Sequence, residues 1–343
     1  MPIRFRIFSR AAALRLLVLL AALMVLAAGG IRFMTRMPGE SFRGPLPPLT
    51  AEQRQLAAQL ERDVRHLSET IGERHVDRPE SLDAAADFIQ DRLTELGYQP
   101  HEQTYRLGDV TCRNLVVEIG GSDEAESIVL IGAHYDTVPG SPGADDNASA
   151  VAVLLAMAER LQRSAPARTL RLAWFTNEEP PHFQTPDMGS YVYAQACRER
   201  GDRIEAMVAL DGLGYYSDEP GSQSYPAPFD RLYPDRGDFI AFVTRLRDRR
   251  LLRRCIGAFR AHAAFPSEGG AVPAFLPGVS WSDHWAFWQF NYPALLITNT
   301  LPFRNPHYHS FTDTPDRLDY DRMALLTEGL LAMVRELTGA GGE

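Results

Sequence analysis

The chain has 343 residues, of which 45% are hydrophobic and 23% are charged, a composition typical of a globular protein rather than a disordered one. Its formal net charge is −9, and beyond residue 43 there are 28 basic against 43 acidic residues, which argues against binding of nucleic acid through its phosphates. All 35 basic residues are Arg, and the absence of Lys excludes a Walker-type P-loop, a Schiff-base enzyme and a Ser-Lys hydrolase.

The N-terminal segment is predicted to target the protein to a membrane. Residues 16–31 are apolar without interruption, and the Arg at 32 and 36 that follow favour an uncleaved anchor. The small residues at 27–30 keep a cleaved signal peptide open as the alternative. Both predict a body outside the cytoplasm, periplasmic or extracellular, and an uncleaved anchor predicts a single-pass protein of the cell membrane. Four Arg precede the apolar run: Arg4, Arg6, Arg10 and Arg15.

We expect three parts in the chain. Residues 1–36 are predicted to be the signal-anchor or transmembrane segment, residues 37–49 a linker that contains Pro and Gly, and residues 50–343 one globular domain. The three cysteines form no CxxC or zinc-ribbon pattern. They permit one disulfide outside the cytoplasm and equally well three buried thiols: Cys112, Cys197 and Cys255.

The body is predicted to alternate between helices and strands. Thr50 and Gln53 form a capping box for an amphipathic helix that runs to about residue 71. The apolar pattern predicts further helices at 81–96, 148–161, 188–200, 239–261 and 322–337, and strands at 99–105, 114–119, 127–133, 170–176, 206–210 and 294–298. This order predicts an α/β fold, a three-layer α/β/α sandwich with a mixed, largely parallel central sheet.

Polar clusters follow these predicted strands, where parallel sheets form their ligand sites. Each cluster alone is typical of a solvated loop or a helix cap. Together they bring His and carboxylate side chains from separate strands to one edge, which is a ligand set for a pair of divalent metals, with zinc expected. The clusters are His134-Tyr135-Asp136, Asp145-Asp146-Asn147, Asn177-Glu178-Glu179, Asp211 and His307-Tyr308-His309.

The segments HYD, ADDNAS, NEE, LDG and YHSFTDT, in this order, resemble the M28 family of zinc aminopeptidases. The resemblance extends from about residue 50 to the end of the chain. It implies a zinc-exopeptidase-like fold, two zinc ions per chain, and hydrolysis of the N-terminal bond of a peptide with a free N-terminus, by an aminopeptidase or dipeptidase. His134 and Asp211 are the implied ligands of one zinc, Glu179 and His309 those of the other, and Asp146 the bridge between them.

The resemblance also implies roles beside the metals. Glu178 would be the general base, and Tyr308 would stabilise the oxyanion. Asp136 would orient His134 through a hydrogen bond. Asp283 lies in an SDH segment similar to one near the family's pocket, where it would support the site or simply cap a helix. The aromatic residues around this segment, Trp281 among them, are expected in the core.

Two choices of residue and two other functions stay open at this point. His307 could take the place of His309, and Asp145 that of Asp146. A glutaminyl cyclase shares the fold but works with one zinc, and a non-catalytic M28-like ectodomain would bind a partner without hydrolysis. The presence of every implied ligand and of Glu178 favours the two-zinc exopeptidase.

Overall fold

The computed structural model describes residues 10–227 and 229–339. It consists of two compact units, with the boundary between Arg36 and Met37. The first unit is helix α1 (Arg10–Thr35), on which the apolar side chains Leu17, Met24 and Leu26 are each exposed. Over Ala11–Thr35 this helix is long and apolar enough to cross a membrane, with a mean hydropathy of 2.5, a property that signal sequences share. Arg4 and Arg6 lie outside the described residues.

The second unit is built on an eight-stranded sheet with the order β1-β2-β4-β3-β5-β8-β6-β7. Strands β4, β3, β5 and β8 are parallel, β6 and β7 are parallel to each other, and the remaining pairs are antiparallel. The strands are β1 (His101–Leu107), β2 (Val110–Ile119), β3 (Glu124–His134), β4 (Arg168–Phe175), β5 (Arg203–Asp211), β6 (Ile240–Arg245), β7 (Ser267–Val272) and β8 (Ala294–Thr298).

Helices cover both faces of the sheet because the strand side chains are apolar on both. On one face, the paired residues Ile131 and Val208 belong to the main core under α2, α4, α6 and α8. On the other face, Phe175 contacts Tyr193 of α5 and Phe287 of α7. This arrangement confirms the predicted three-layer sandwich. The helices are α2 (Ala51–Arg65), α3 (Pro79–Glu95), α4 (Ala150–Leu161), α5 (Gly189–Arg200), α6 (Arg249–His262), α7 (His284–Gln289) and α8 (Tyr320–Thr338).

The predicted start of α2 is confirmed, since Thr50 and Gln53 form both hydrogen bonds of a capping box. The helix predicted at 239–261 is wrong up to Asp248, because Ile240–Arg245 form strand β6 and α6 begins only at Arg249. A short run of apolar, aromatic and β-branched residues has no periodicity that separates strand from helix, and pairing with β7 and β8 decides the outcome. Strand β7, with two Gly in six residues, was not predicted because its strand propensity is low.

The segment predicted as a linker, residues 37–49, begins by packing against α6 and β7. The backbone N–H of Ser267 donates to Ser41 Oγ at 2.9 Å. Arg260 of α6 donates to the carbonyl oxygens of Pro38 and Gly39. The chain therefore enters the second unit along the edge strand β7.

The three cysteines are free thiols, all of them buried. Burial raises the pKa of Cys197 and Cys255 to about 12, so these thiols stay protonated and unreactive at neutral pH. Of the two possibilities that the sequence allows, the structure shows buried thiols.

Candidate metal centre and active site

Strand ends bring four of the predicted side chains to one edge of the sheet. His134 and Asp211 are the last residues of β3 and β5, and Glu178 and Glu179 follow β4. Parallel strands end at the same edge, so these side chains converge without any long excursion of the chain. The turn at Ala144–Ser149 before α4 and the loop after β8 add two more, Asp146 and His309.

Asp146 lies between two histidines, one facing each carboxylate oxygen. His134 Nε2 lies 3.4 Å from Asp146 Oδ1 and 3.5 Å from Asp211 Oδ1. His309 Nε2 lies 3.2 Å from Asp146 Oδ2 and 3.2 Å from Glu179 Oε2. The result is two groups of three, His134-Asp146-Asp211 and Asp146-Glu179-His309, with the donor atoms of each group within 4.8 Å of one another.

The donor atoms of these groups fit a divalent metal. Among the described residues, His134 Nε2, Asp211 Oδ1, Glu179 Oε1 and His309 Nε2 are buried and have no hydrogen-bond partner. A buried polar atom without a partner costs about 1–3 kcal/mol, so native structures provide a partner for nearly every such atom. Imidazole nitrogen and carboxylate oxygen are ligands that zinc prefers, and each group offers three.

The charges of the site point the same way. Burial and the charge of Asp146 raise the pKa of Glu179 to about 8. Burial also raises the pKa of Glu178 well above its ordinary value. Carboxyl groups that are crowded and buried resist ionisation unless a positive charge lies between them, and a bound dication supplies one.

Asp136 fixes the turn that carries the two glutamates. Its carboxylate accepts the backbone N–H of Glu178 at 3.0 Å and that of Glu179 at 3.1 Å. The same carboxylate lies 3.5 Å from His134 Nδ1. One buried side chain therefore holds the glutamate turn and lies beside the histidine of the opposite group.

A second aspartate holds Asp146 in the same way and was missed in the sequence. The Asp313 carboxylate accepts the backbone N–H of Asp145 at 3.0 Å and that of Asp146 at 3.1 Å. Burial and the charge of Asp145 raise the pKa of Asp313 to about 8. Its only signal in the sequence is its place in the YHSFTDT segment, four residues after His309.

The structure separates the residues that the sequence left as alternatives. Asp145 accepts hydrogen bonds from the backbone N–H of Gly214 and Tyr215 and from Asn299, away from both groups. His307 Nδ1 lies 2.9 Å from Thr312 Oγ1 and belongs to neither group. The residues drawn into the groups are their neighbours Asp146 and His309.

The other predicted site residues surround the two groups. Glu178 lines a cavity next to them, and no hydrogen bond reaches its carboxylate within the described parts of the chain. Tyr308 stacks on His309 with 3.7 Å between ring centroids and lines the same cavity. Asp283 is buried, and burial raises its pKa to about 7, with His134 and Asp211 as charged neighbours.

The cavity has a volume of about 330 Å³ and extends from the metal-ligand groups across the sheet face that carries α7. Its wall is mainly apolar and aromatic. Trp281, expected in the core, is 42% exposed and belongs to this wall. Other apolar wall residues are Phe183, Phe229, Phe239, Leu276 and Val279.

The family model described as Peptidase family M28 matches residues 114–334. The chain belongs to this family. It is 38% identical over 285 residues to the uncharacterized protein YfbL of Escherichia coli (strain K12), covering 80% of this chain and 87% of YfbL. It is 26% identical over 293 residues to a probable leucine aminopeptidase of Trichophyton verrucosum (strain HKI 0517), covering 81% of this chain and 72% of that protein.

Solved structures share the M28 fold at low sequence identity. The Legionella pneumophila LapA aminopeptidase matches with a TM-score of 0.67 and 20% identity, over 88% of this chain and 78% of its own. The zinc aminopeptidase BSAP of Bacillus subtilis matches with 0.67 and 15%, over 84% and 96%. A Fimbriiglobus ruber glutaminyl cyclase matches with 0.61 and 17%, over 86% and 98%. The fold therefore accommodates both enzymes, and the site has to decide between them.

Proposed function

We propose that this M28 peptidase is a two-zinc aminopeptidase that removes the N-terminal residue from peptides with a free N-terminus. The observation that carries the proposal is the position of Asp146, whose two carboxylate oxygens face His134 and His309 separately. A carboxylate that faces two donor groups is suited to bridge two ions. His134 and Asp211 would complete one site, and Glu179 and His309 the other.

Two zinc ions at these positions would polarise the scissile carbonyl and lower the pKa of a water between them. Glu178 would take the proton of that water and deliver it to the leaving amine. Its carboxylate suits this role because it lines the cavity and its pKa is raised by burial. Tyr308, which also lines the cavity, would donate its hydroxyl hydrogen bond to the oxyanion.

The cavity would take the side chain of the N-terminal residue. Its wall is mainly apolar, and it opens directly beside Glu178 and Glu179. The free α-amino group would then lie at the end of the cavity that carries Glu178 and Glu179. Asp136, Asp283 and Asp313 would act by holding the ligands in place.

We further propose that helix α1 anchors the enzyme in the membrane and that the catalytic body lies outside the cytoplasm. The support is its apolar length and the four arginines that precede its apolar run at 16–31. In this scheme residues 1–36 are the anchor, 37–49 the connection and 50–343 the peptidase domain. A reporter that works only outside the cytoplasm should be active when it is fused after residue 50, and a reporter that works only in the cytoplasm should be inactive there. The opposite result would contradict this topology.

A substrate panel tests the proposed activity. Full-length zinc-loaded protein should release the chromophore from aminoacyl-4-nitroanilides and leave N-acetylated versions of the same compounds intact, because the free amine is part of recognition. Cyclisation of a glutaminyl peptide in place of hydrolysis would favour the cyclase. Zinc binding with neither activity would favour a non-catalytic ectodomain.

A further inference from the structure

One row of side chains crosses the sheet from the metal-ligand groups to the edge strand. Asp211 of β5 pairs with Thr298 of β8, Thr298 pairs with Ala241 of β6, and Ala241 pairs with Glu268 of β7. Paired residues on adjacent strands point to the same face of a sheet. All four residues line the cavity, so the row forms a continuous floor with a carboxylate at each end.

The spacing of this row matches a long side chain. Three strand spacings of about 4.8 Å separate Asp211 from Glu268, or about 14 Å between their backbones. An extended lysine or arginine side chain spans about 6–7 Å, and a hydrogen bond to a carboxylate adds about 3 Å. Together they cover about 10 of these 14 Å, and the Glu268 side chain, about 4–5 Å long when extended, can cover the rest, so a residue bound above Asp211 can reach the Glu268 carboxylate with its terminal nitrogen.

The Glu268 carboxylate lies near two arginines, Arg260 and Arg43, and neither of them donates a hydrogen bond to it. Its side chain is 25% exposed, and the nearest cation, Arg260 Nη2, lies 4.0 Å away, beyond hydrogen-bond distance. The guanidinium of Arg260 donates instead to Ser267 and to the carbonyl oxygen of Pro38. No hydrogen bond to the Glu268 carboxylate is present within residues 10–227 and 229–339.

The apolar surroundings of Glu268 favour binding of a cation to its carboxylate. Gly270 and Val272, the next residues of β7 on the same face, also line the cavity and are apolar. Burial raises the pKa of Glu268 above its ordinary value. A partly buried carboxylate is costly unless it is hydrogen-bonded, and a substrate cation would donate the hydrogen bonds that the neighbouring arginines do not.

We propose that Glu268 determines specificity, so that the cavity selects N-terminal residues with a long apolar stem and a cationic end, namely lysine and arginine. The apolar wall would bind the stem, and the carboxylate would bind the ammonium or guanidinium group. This inference rests on the proposed aminopeptidase function and names its substrate class.

The test compares lysine with norleucine, which has the same carbon stem but no side-chain amine. Full-length zinc-loaded enzyme in detergent should hydrolyse the lysyl and arginyl anilides about tenfold to hundredfold more efficiently than the norleucyl anilide, the range expected for a charged hydrogen bond. Glu268→Gln should remove this preference mainly through KM, because the contact is made equally in the bound substrate and the transition state. The lysyl and arginyl rates should fall more than the norleucyl rate, because the norleucyl side chain has no cation for Glu268 to bind.

A matched control is Glu205→Gln near the start of β5, a glutamate with 36% side-chain exposure whose carboxylate lies 3.0 Å from Arg203 Nη2. It should leave every rate unchanged. Calorimetry with free L-lysine and L-norleucine should show the same preference in the wild type and its loss in Glu268→Gln. Should Glu268→Gln fail to fold, Glu268→Asp keeps the charge but shortens its reach, and should favour arginine over lysine.

Hydrolysis of the leucyl or norleucyl anilide without a preference for lysine, or a preference unaffected by Glu268→Gln, would overturn the role of Glu268 and leave the aminopeptidase intact. Failure to hydrolyse any aminoacyl anilide would overturn the proposed function, and the specificity with it. The two failures are thus distinguishable in a single panel.

Discussion

The two ends of the cavity are built differently. At the metal-ligand end, buried aspartates hold the backbone: Asp136 accepts two N–H groups from the glutamate turn, and Asp313 accepts two from the turn that carries Asp146. At the far end the wall consists of apolar side chains with one carboxylate, Glu268. Positions at the first end are therefore fixed by the backbone, whereas those at the second depend on which side chains line one sheet face. Changes at the first end should affect every substrate, and changes at the second only the choice among substrates.

The largest expected effect follows removal of the metals. A chelator should abolish turnover of every aminoacyl substrate alike, and zinc should restore it, because the metals are expected to contribute to a rate enhancement that in enzymes is typically at least about 10⁶-fold. Initial rates before and after chelation, and again after zinc is added back, provide the measurement. If chelation left activity toward some of the substrates, the metal-ligand end would not serve all substrates alike, and the contrast between the two ends would fail.

The next effect concerns the adjacent glutamates. Glu178→Gln should lower turnover by about 10² to 10⁴ and keep the zinc, since glutamine retains the shape but cannot accept the proton. Glu179→Gln should lose zinc first, because Glu179 lies 3.2 Å from His309 in one of the ligand groups. Metal content and rates of both variants decide the assignment, and the reverse pattern would exchange the two roles.

Asp136 offers a smaller and more specific effect. Asp136→Asn should weaken zinc binding by about 10- to 100-fold, as is common when a group that orients a metal ligand is changed. Asparagine has only one acceptor oxygen for the two N–H groups of Glu178 and Glu179. Competition with a chromophoric chelator measures the change, and the fully exposed Asp109→Asn serves as control. Unaltered zinc affinity would show that Asp136 does not act through the metals.

The smallest effect lies behind the cavity wall. His284 is buried, lies 2.8 Å from the carbonyl oxygen of Val279 in that wall, and has its pKa lowered by burial from 6.5 to about 4. The unfolded chain therefore takes up a proton near pH 6.5 while the folded chain does so only near pH 4. The neutral, buried imidazole therefore contributes stability that is fully present above pH 6.5 and is lost as the pH falls. At pH 5 the free energy of unfolding should be lower by about 2 kcal/mol for this reason.

Urea unfolding of the chelated full-length protein at pH 7 and pH 5 measures this change in the free energy of unfolding. His284→Gln should show a fall with pH that is smaller by about 2 kcal/mol than the wild type. The exposed His101→Gln should behave as the wild type does. Equal falls in the wild type and His284→Gln would mean that His284 does not titrate in this range.

The same contrast explains what the sequence could and could not predict. His134 and Asp211 end strands that are strongly apolar, so their convergence follows from the parallel sheet alone. Glu268 could not be predicted, because its place in the row depends on β6 and β7, and the sequence pattern favours a helix at β6 and no strand at β7. Asp313 acts on backbone N–H groups far along the chain, a contact for which no local pattern exists.

The zinc content of the purified full-length protein at saturating zinc tests the central claim most directly. With Asp146 between the two groups, the account predicts two zinc ions per chain in the wild type. His134→Ala should weaken mainly one site, and Asp146→Ala should weaken both, because its two oxygens face opposite groups. A wild-type content that stays at one ion per chain would contradict the account and favour single-zinc chemistry of the cyclase kind.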